Sequence, residues 1–122
     1  MSNILVIEDD VYTRTVIRQM IEREGHNVLE AANGEDGIRV FRENRIDLTV
    51  TDILMPEKDG ITTIFELKKL SPSVKIIAMS GGGRLGPEIY IKLAQKMGSD
   101  STLTKPIERT KLTAAIGMLL GQ

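Results

Sequence analysis

Short apolar runs rich in β-branched residues recur along this chain, and a stretch with apolar residues at helical spacing follows each. That alternation leaves few folds open. Ile4-Leu5-Val6-Ile7 is wholly apolar, as a strand buried on both faces must be. His26 to Ala31, Leu48 to Thr51, Val74 to Met79 and Thr102 to Thr104 supply four further strands. After the first strand, Thr13, Val16, Ile17, Met20 and Ile21 form one helical stripe, while Arg14, Arg18 and Glu22 form the opposite one, and Gly25 stops the helix. A second helix carries Ile38 and Phe41 inward, and a third is lined by Ile61, Ile64, Leu67 and Leu70. A fourth covers Glu88 to Met97, stopped by Gly98, and the last presents Leu112, Ala115, Ile116 and Leu119.

Strands that are apolar on both faces and separated by helices imply a parallel sheet sandwiched between helices. Right-handed crossovers then restrict the topology to a doubly wound α/β fold, most simply the flavodoxin-like order 2-1-3-4-5 with five helices. A length of 122 residues suits one domain, 1–122. Aromatics are only 3%, so the core is aliphatic and a nucleic-acid surface built on base stacking is disfavoured. Sixteen basic against 17 acidic side chains leave a charge of −1, which argues against bulk attraction to nucleic acid or anionic membrane. The chain has no cysteine, which removes disulfides and thiolate chemistry. Neither a basic leader nor an apolar run of membrane-spanning length is present, so a cytoplasmic, soluble location is expected.

In such a sheet, ligands bind at the edge formed by the strand C-termini, near the point where strand order reverses. The first strand delivers Glu8, Asp9 and Asp10 to that edge, the third Asp52, the fourth Ser80 and the fifth Lys105. Asp10 directly precedes a helix and reads as its N-cap. Asp52 does not, because its helix begins several residues later. Crowded carboxylates repel and need a compensating cation, and all-oxygen ligation with few protein ligands favours partly hydrated Mg²⁺. A carboxylate nucleophile with a metal, an ammonium and a hydroxyl around it makes a phosphoryl-acceptor site. His26, the only histidine, precedes the second strand, away from that edge, and is expected to be structural or exposed.

Ile4 to Asp9, Asp52-Ile53-Leu54-Met55-Pro56-Glu57-Lys58-Asp59-Gly60, Ala78-Met79-Ser80 and Thr104-Lys105-Pro106 together resemble the receiver domains of bacterial two-component response regulators. The resemblance runs through essentially the whole chain, in order. It implies that Asp52 is the phosphorylated aspartate, that Asp9 binds Mg²⁺ directly and Glu8 through water, and that the Leu54 backbone carbonyl is a further metal ligand. It implies a switch role for the Ser80 hydroxyl, phosphoryl pairing by Lys105, and a cis Lys105–Pro106 bond. The donor would be a histidine kinase or histidine phosphotransfer protein, and the recipient a downstream protein or a fused output domain.

One departure stands out. Receivers usually carry an aromatic three residues before the lysine, and here that residue is Thr102. The glycine-rich segment after Ser80 is therefore expected to carry the switch by ordering, and its Arg84 and Tyr90 to form part of the output surface. Leu54 and Gly82 flank the expected path of the hydrolytic water. Leu54 has no side-chain hydrogen bond to orient that water, so slow self-dephosphorylation is expected.

Two other classes compete. Gly81-Gly82-Gly83-Arg84-Leu85-Gly86 fits a dinucleotide-binding pattern, but it lies in the fourth strand–helix unit and Pro87 follows it. An aspartate-nucleophile phosphatase of the haloacid-dehalogenase kind needs a general acid two residues after the nucleophile, where Leu54 stands. The reading is thus a switch that catalyses only its own phosphorylation and dephosphorylation, not an enzyme acting on other substrates.

Overall fold

The computed structural model describes residues 1–53, 60–81 and 87–121, with only the backbone of 87–91. Five strands and five helices alternate along them: β1 (Asn3–Ile7), α1 (Val11–Glu22), β2 (Asn27–Ala31), α2 (Gly34–Glu43), β3 (Leu48–Asp52), α3 (Gly60–Leu70), β4 (Lys75–Ser80), α4 (Pro87–Met97), β5 (Ser101–Thr104) and α5 (Arg109–Leu120). The strands form one parallel sheet in the order β2-β1-β3-β4-β5, as the alternation predicts.

Alternate residues of the central strands feed cores on the two faces of the sheet. Ile4, Val6, Leu48, Val50, Ile77 and Met79 pack with Ile17 and Ile21 of α1 and Leu112 and Ile116 of α5. On the other face Ile76 and Ala78 join Ile38, Ile64, Leu67 and Ala94, from α2, α3 and α4. The strands β1, β3 and most of β4 are buried on both faces; β1 and β4 accordingly read as apolar runs, whereas β3 buries Thr49 and Thr51 between its apolar residues. The edge strands β2 and β5 are only partly covered.

Helix ends follow local chemistry. Asp10 caps α1, its carboxylate accepting from the Thr13 amide at 2.8 Å and the Thr13 hydroxyl at 2.6 Å. Asn33 caps α2 by accepting from the Asp36 amide at 2.8 Å. Gly25, at φ +90°, turns the chain after α1 in a conformation that side chains disfavour.

Two expectations need correction. Leu70 is 42% exposed rather than packed inward. Steps of three residues fall about 60° short of a full turn each, so a stripe drawn through 61, 64, 67 and 70 drifts off the core. The buried face of α3 is Gly60, Thr63, Ile64 and Leu67, the i, i+3, i+4, i+7 set. Arg14, read as lying on the solvent stripe, is a clamp instead, with only 17% of its side chain exposed.

The Thr49 hydroxyl, on the face of β3 toward α2 and α3, is fully buried without a hydrogen-bond partner among the described residues. A hydroxyl stripped of water and left unpaired is a net cost. Thr49→Val keeps the β-branched shape and removes that group, so it should stabilise the fold by about 1 kcal/mol. The check is a rise in the urea midpoint at constant m.

Candidate phosphoryl-acceptor and cation site

Three strand ends and the β5–α5 connection build the site. Beyond β1, the Glu8 amide continues the ladder by donating to the Ala31 carbonyl at 3.0 Å. The Ile53 amide does the same for β3, donating to the Met79 carbonyl at 3.0 Å, and the Lys105 amide donates to the Ser80 carbonyl at 2.8 Å. Extending the ladder past the strand ends fixes the backbone from which the polar side chains project. The chain returns at Gly60, whose amide donates to the Ile53 carbonyl at 2.6 Å.

Carboxylate oxygens of Glu8, Asp9 and Asp52 lie within 4.8 Å of one another. Glu8 and Asp52 are buried, at 1% and 5% exposure, and Asp9 faces solvent. The Lys105 ammonium bridges the buried pair, donating to Glu8 Oε1 at 2.5 Å and to Asp52 Oδ2 at 2.8 Å. Burial opposes its charge, but the hydrogen bonds to Asp52 and Glu8 outweigh that and hold its pKa above the ordinary lysine value. Burial, with the neighbouring Asp52 and Asp9 carboxyls, raises the Glu8 pKa to about 7, against hydrogen bonds from Lys105 and the Asp10 amide. One ammonium thus leaves three crowded carboxyls undercompensated. A hard divalent cation is the complement that this all-oxygen donor set fits.

The Ser80 hydroxyl, at the end of β4, is buried and has no hydrogen-bond partner among the described residues. Unlike Thr49, it sits at the sheet edge that carries the carboxylates, next to Met79, the register partner of Asp52. The Lys105–Pro106 bond is cis, as the resemblance implied. Thr102 stands opposite Ala78 on half-buried β5.

The structure therefore brings together Glu8, Asp9, Asp52 and Lys105, with Ser80 on the adjoining strand. Leu54, Gly82 and Arg84 lie outside the described residues, as does the Tyr90 side chain, so the third-ligand and loop-ordering expectations concern positions that are not described. His26 is buried at the opposite edge, its Nδ1 accepting from the Ser2 amide at 3.2 Å, which bears out the structural alternative. Asp10 is confirmed as a cap, and hydrogen bonds from the Thr13 hydroxyl and amide lower its pKa. Sequence reasoning missed Arg14, whose guanidinium donates to the Glu8 carbonyl at 2.8 Å. A basic residue five positions after the acidic pair looked like part of a solvated helix face.

Comparison with known proteins agrees with this geometry. A family model for the response regulator receiver domain matches residues 4–117. The chain is 32% identical to the chemotaxis protein CheY of Halobacterium salinarum, an alignment covering 96% of this chain and 95% of that protein. It is also 32% identical to the transcriptional regulatory protein AfsQ1 of Streptomyces coelicolor, over 98% of this chain but only 52% of that longer protein. Among solved structures, a response regulator receiver domain protein from Clostridium thermocellum has a TM-score of 0.91 at 33% identity, covering 99% of this chain and 95% of that one. TrrA from Thermotoga maritima, solved in complex with Mg²⁺-BeF, has a TM-score of 0.87 at 25% identity, covering 98% and 99% of the two chains. By sheet order, by the carboxylate crevice at the sheet edge and by these matches, the chain belongs to the response regulator receiver domain family of two-component signalling.

Proposed function

We propose that this receiver accepts a phosphoryl group on Asp52, with Mg²⁺ at the neighbouring carboxylates, and thereby switches a partner-binding surface. The observation that carries the proposal is the Lys105 ammonium spanning Glu8 and Asp52 at the sheet edge where β4 ends in Ser80, whose hydroxyl has no partner among the described residues. Asp9 and Asp52 would hold the metal directly together with the Leu54 carbonyl, and Glu8 would act through water. Bound Mg²⁺ supplies neutralisation of the phosphoryl oxygens during transfer.

An Asp52 carboxylate oxygen forms a bond to phosphorus as the P–N bond of a phosphohistidine breaks. The electron pair of that bond leaves with the imidazole. Lys105 pairs with one phosphoryl oxygen, and the Ser80 hydroxyl donates to another. The donor is a histidine kinase or histidine phosphotransfer protein, and the recipient is a downstream protein or fused output domain. TrrA supports the cation assignment through its Mg²⁺-BeF complex. No helix among the described residues is long and apolar enough to cross a membrane, which accords with cytoplasmic action. The domain, 1–122, turns over no substrate beyond its own phosphoryl group.

Intact mass after exposure to a small phosphodonor tests the proposal. One phosphoryl group should be gained with Mg²⁺ and none with chelator. Borohydride reduction of the acyl phosphate, which converts that aspartate to homoserine, should map to residue 52. Metal-independent gain, or reduction at another residue, refutes it.

A further inference from the structure

The segment from Glu8 to Asp10 carries two of the three cluster carboxylates, and its conformation sets where both point. Four of its contacts among the described residues bear on that conformation. The Glu8 amide donates to the Ala31 carbonyl at 3.0 Å, and Glu8 Oε2 accepts from the Asp10 amide at 3.1 Å. Asp10 is tied to Thr13. The fourth contact is the Glu8 carbonyl, which accepts from Arg14 Nη1 at 2.8 Å where the β1 ladder has ended. Arg14 Nε simultaneously donates to Glu30 Oε1 on β2 at 3.2 Å. The other oxygen of Glu30 lies 3.6 Å from Arg18 Nε.

A planar guanidinium fixes the angle between its Nε and Nη donors, so anchoring one end to β2 aims the other at the Glu8 carbonyl. The peptide plane so held joins Glu8 to Asp9. We propose that Arg14, braced by Glu30, is a positioning residue for the cation site: it presets the Glu8–Asp9 peptide so that both carboxylates converge on Asp52. This inference rests on the reading that the cluster takes Mg²⁺.

Charge and position predict opposite outcomes. If Arg14 acted only through its positive charge, removing it would tighten Mg²⁺ binding, because a like charge leaves the neighbourhood. A strut predicts weakening, as loss of a group that orients metal ligands generally does.

The experiment is calorimetric titration of Mg²⁺ into the wild type, Arg14→Met, Arg14→Lys, Glu30→Gln and the Arg14→Met/Glu30→Gln double variant. Arg14→Met should weaken Mg²⁺ binding about tenfold. Glu30→Gln, which touches no cluster residue, should weaken it in the same direction but less. Arg14→Lys has one donor head for two acceptors and should fall between wild type and Arg14→Met. The double variant should be no weaker than Arg14→Met, because both residues act through one strut. Amide exchange at Asp9 and Asp10 in the metal-free protein should quicken in Arg14→Met and in Glu30→Gln.

A merely structural role would lower the melting temperature and leave the affinity of the folded protein unchanged. Should Arg14→Met fold poorly, Glu30→Gln decides the matter alone. Unchanged or tighter Mg²⁺ binding in the folded variants overturns the strut while leaving the proposed function intact. A wild type that takes up no Mg²⁺ overturns both.

Discussion

Asp52→Asn is expected to gain no phosphoryl group under conditions that fully convert the wild type, while Lys105→Met gains it at a rate lower by about 10²–10³-fold. The two losses differ because the groups do different work. The amide of Asn lacks the anionic oxygen that bonds to phosphorus, so no slower route through that residue remains. Lys105 forms no bond to the phosphoryl group. It contributes a fixed positive charge in a half-buried crevice, where it already touches the nucleophile at 2.8 Å. Removing a preorganised charge of this kind lowers a rate without eliminating the path. Rates followed by intact mass at saturating Mg²⁺ separate the cases. A Lys105→Met rate within a factor of two of wild type would show that its contacts to Glu8 and Asp52 merely balance charge in the resting protein.

Gly60→Ala is expected to lose about 3 kcal/mol of stability, at the upper end of what overpacking costs. The backbone of Gly60 is not in the left-handed region, so the requirement for glycine is spatial. A β-carbon there would overlap the Asp52 carbonyl oxygen, and would sit 2.5 Å from Ile53 Cα and 2.8 Å from the Asp52 carbonyl carbon. All three obstacles are backbone, which cannot rotate aside as a side chain does. The same carbonyl accepts from the Thr51 hydroxyl at 3.1 Å, so the strand end is pinned from both sides. Relief requires moving either α3 or the peptide that carries Asp52, so phosphoryl uptake should fall along with stability. Urea unfolding alongside the mass assay measures both, and a midpoint equal to wild type would refute the predicted clash.

The sheet order and the five helices could be read from sequence because β1 and β4 are buried on both faces, and an internal parallel strand is where such consecutive apolar residues belong. Four polar residues were legible for a topological reason: in this sheet every strand C-terminus lies on one edge. Glu8, Asp9, Asp52 and Lys105 therefore had to meet there, although up to 97 residues separate them.

What did not show was direction and pairing. Leu70 follows the apolar spacing but lies one increment past the face that α3 buries, while Thr63, a polar residue, is fully inside. Arg14 is ordinary in composition and becomes distinctive only when the Glu8 carbonyl and Glu30 are seen on either side of it. The bridging of Glu8 by Lys105 was also invisible, since sequence placed both at the edge without ranking their distances.

The Ser80 hydroxyl, buried without a hydrogen-bond partner among the described residues, has a thermodynamic consequence. A buried hydroxyl donor left without an acceptor costs about 1–3 kcal/mol, and the described residues offer Ser80 none. An anion lodged beside Asp52 within its reach would recover that sum in one conformation and not in another. Such a difference biases a two-state equilibrium by about 5- to 150-fold. One serine oxygen at the sheet edge would then be enough to turn local chemistry into a shift of populations.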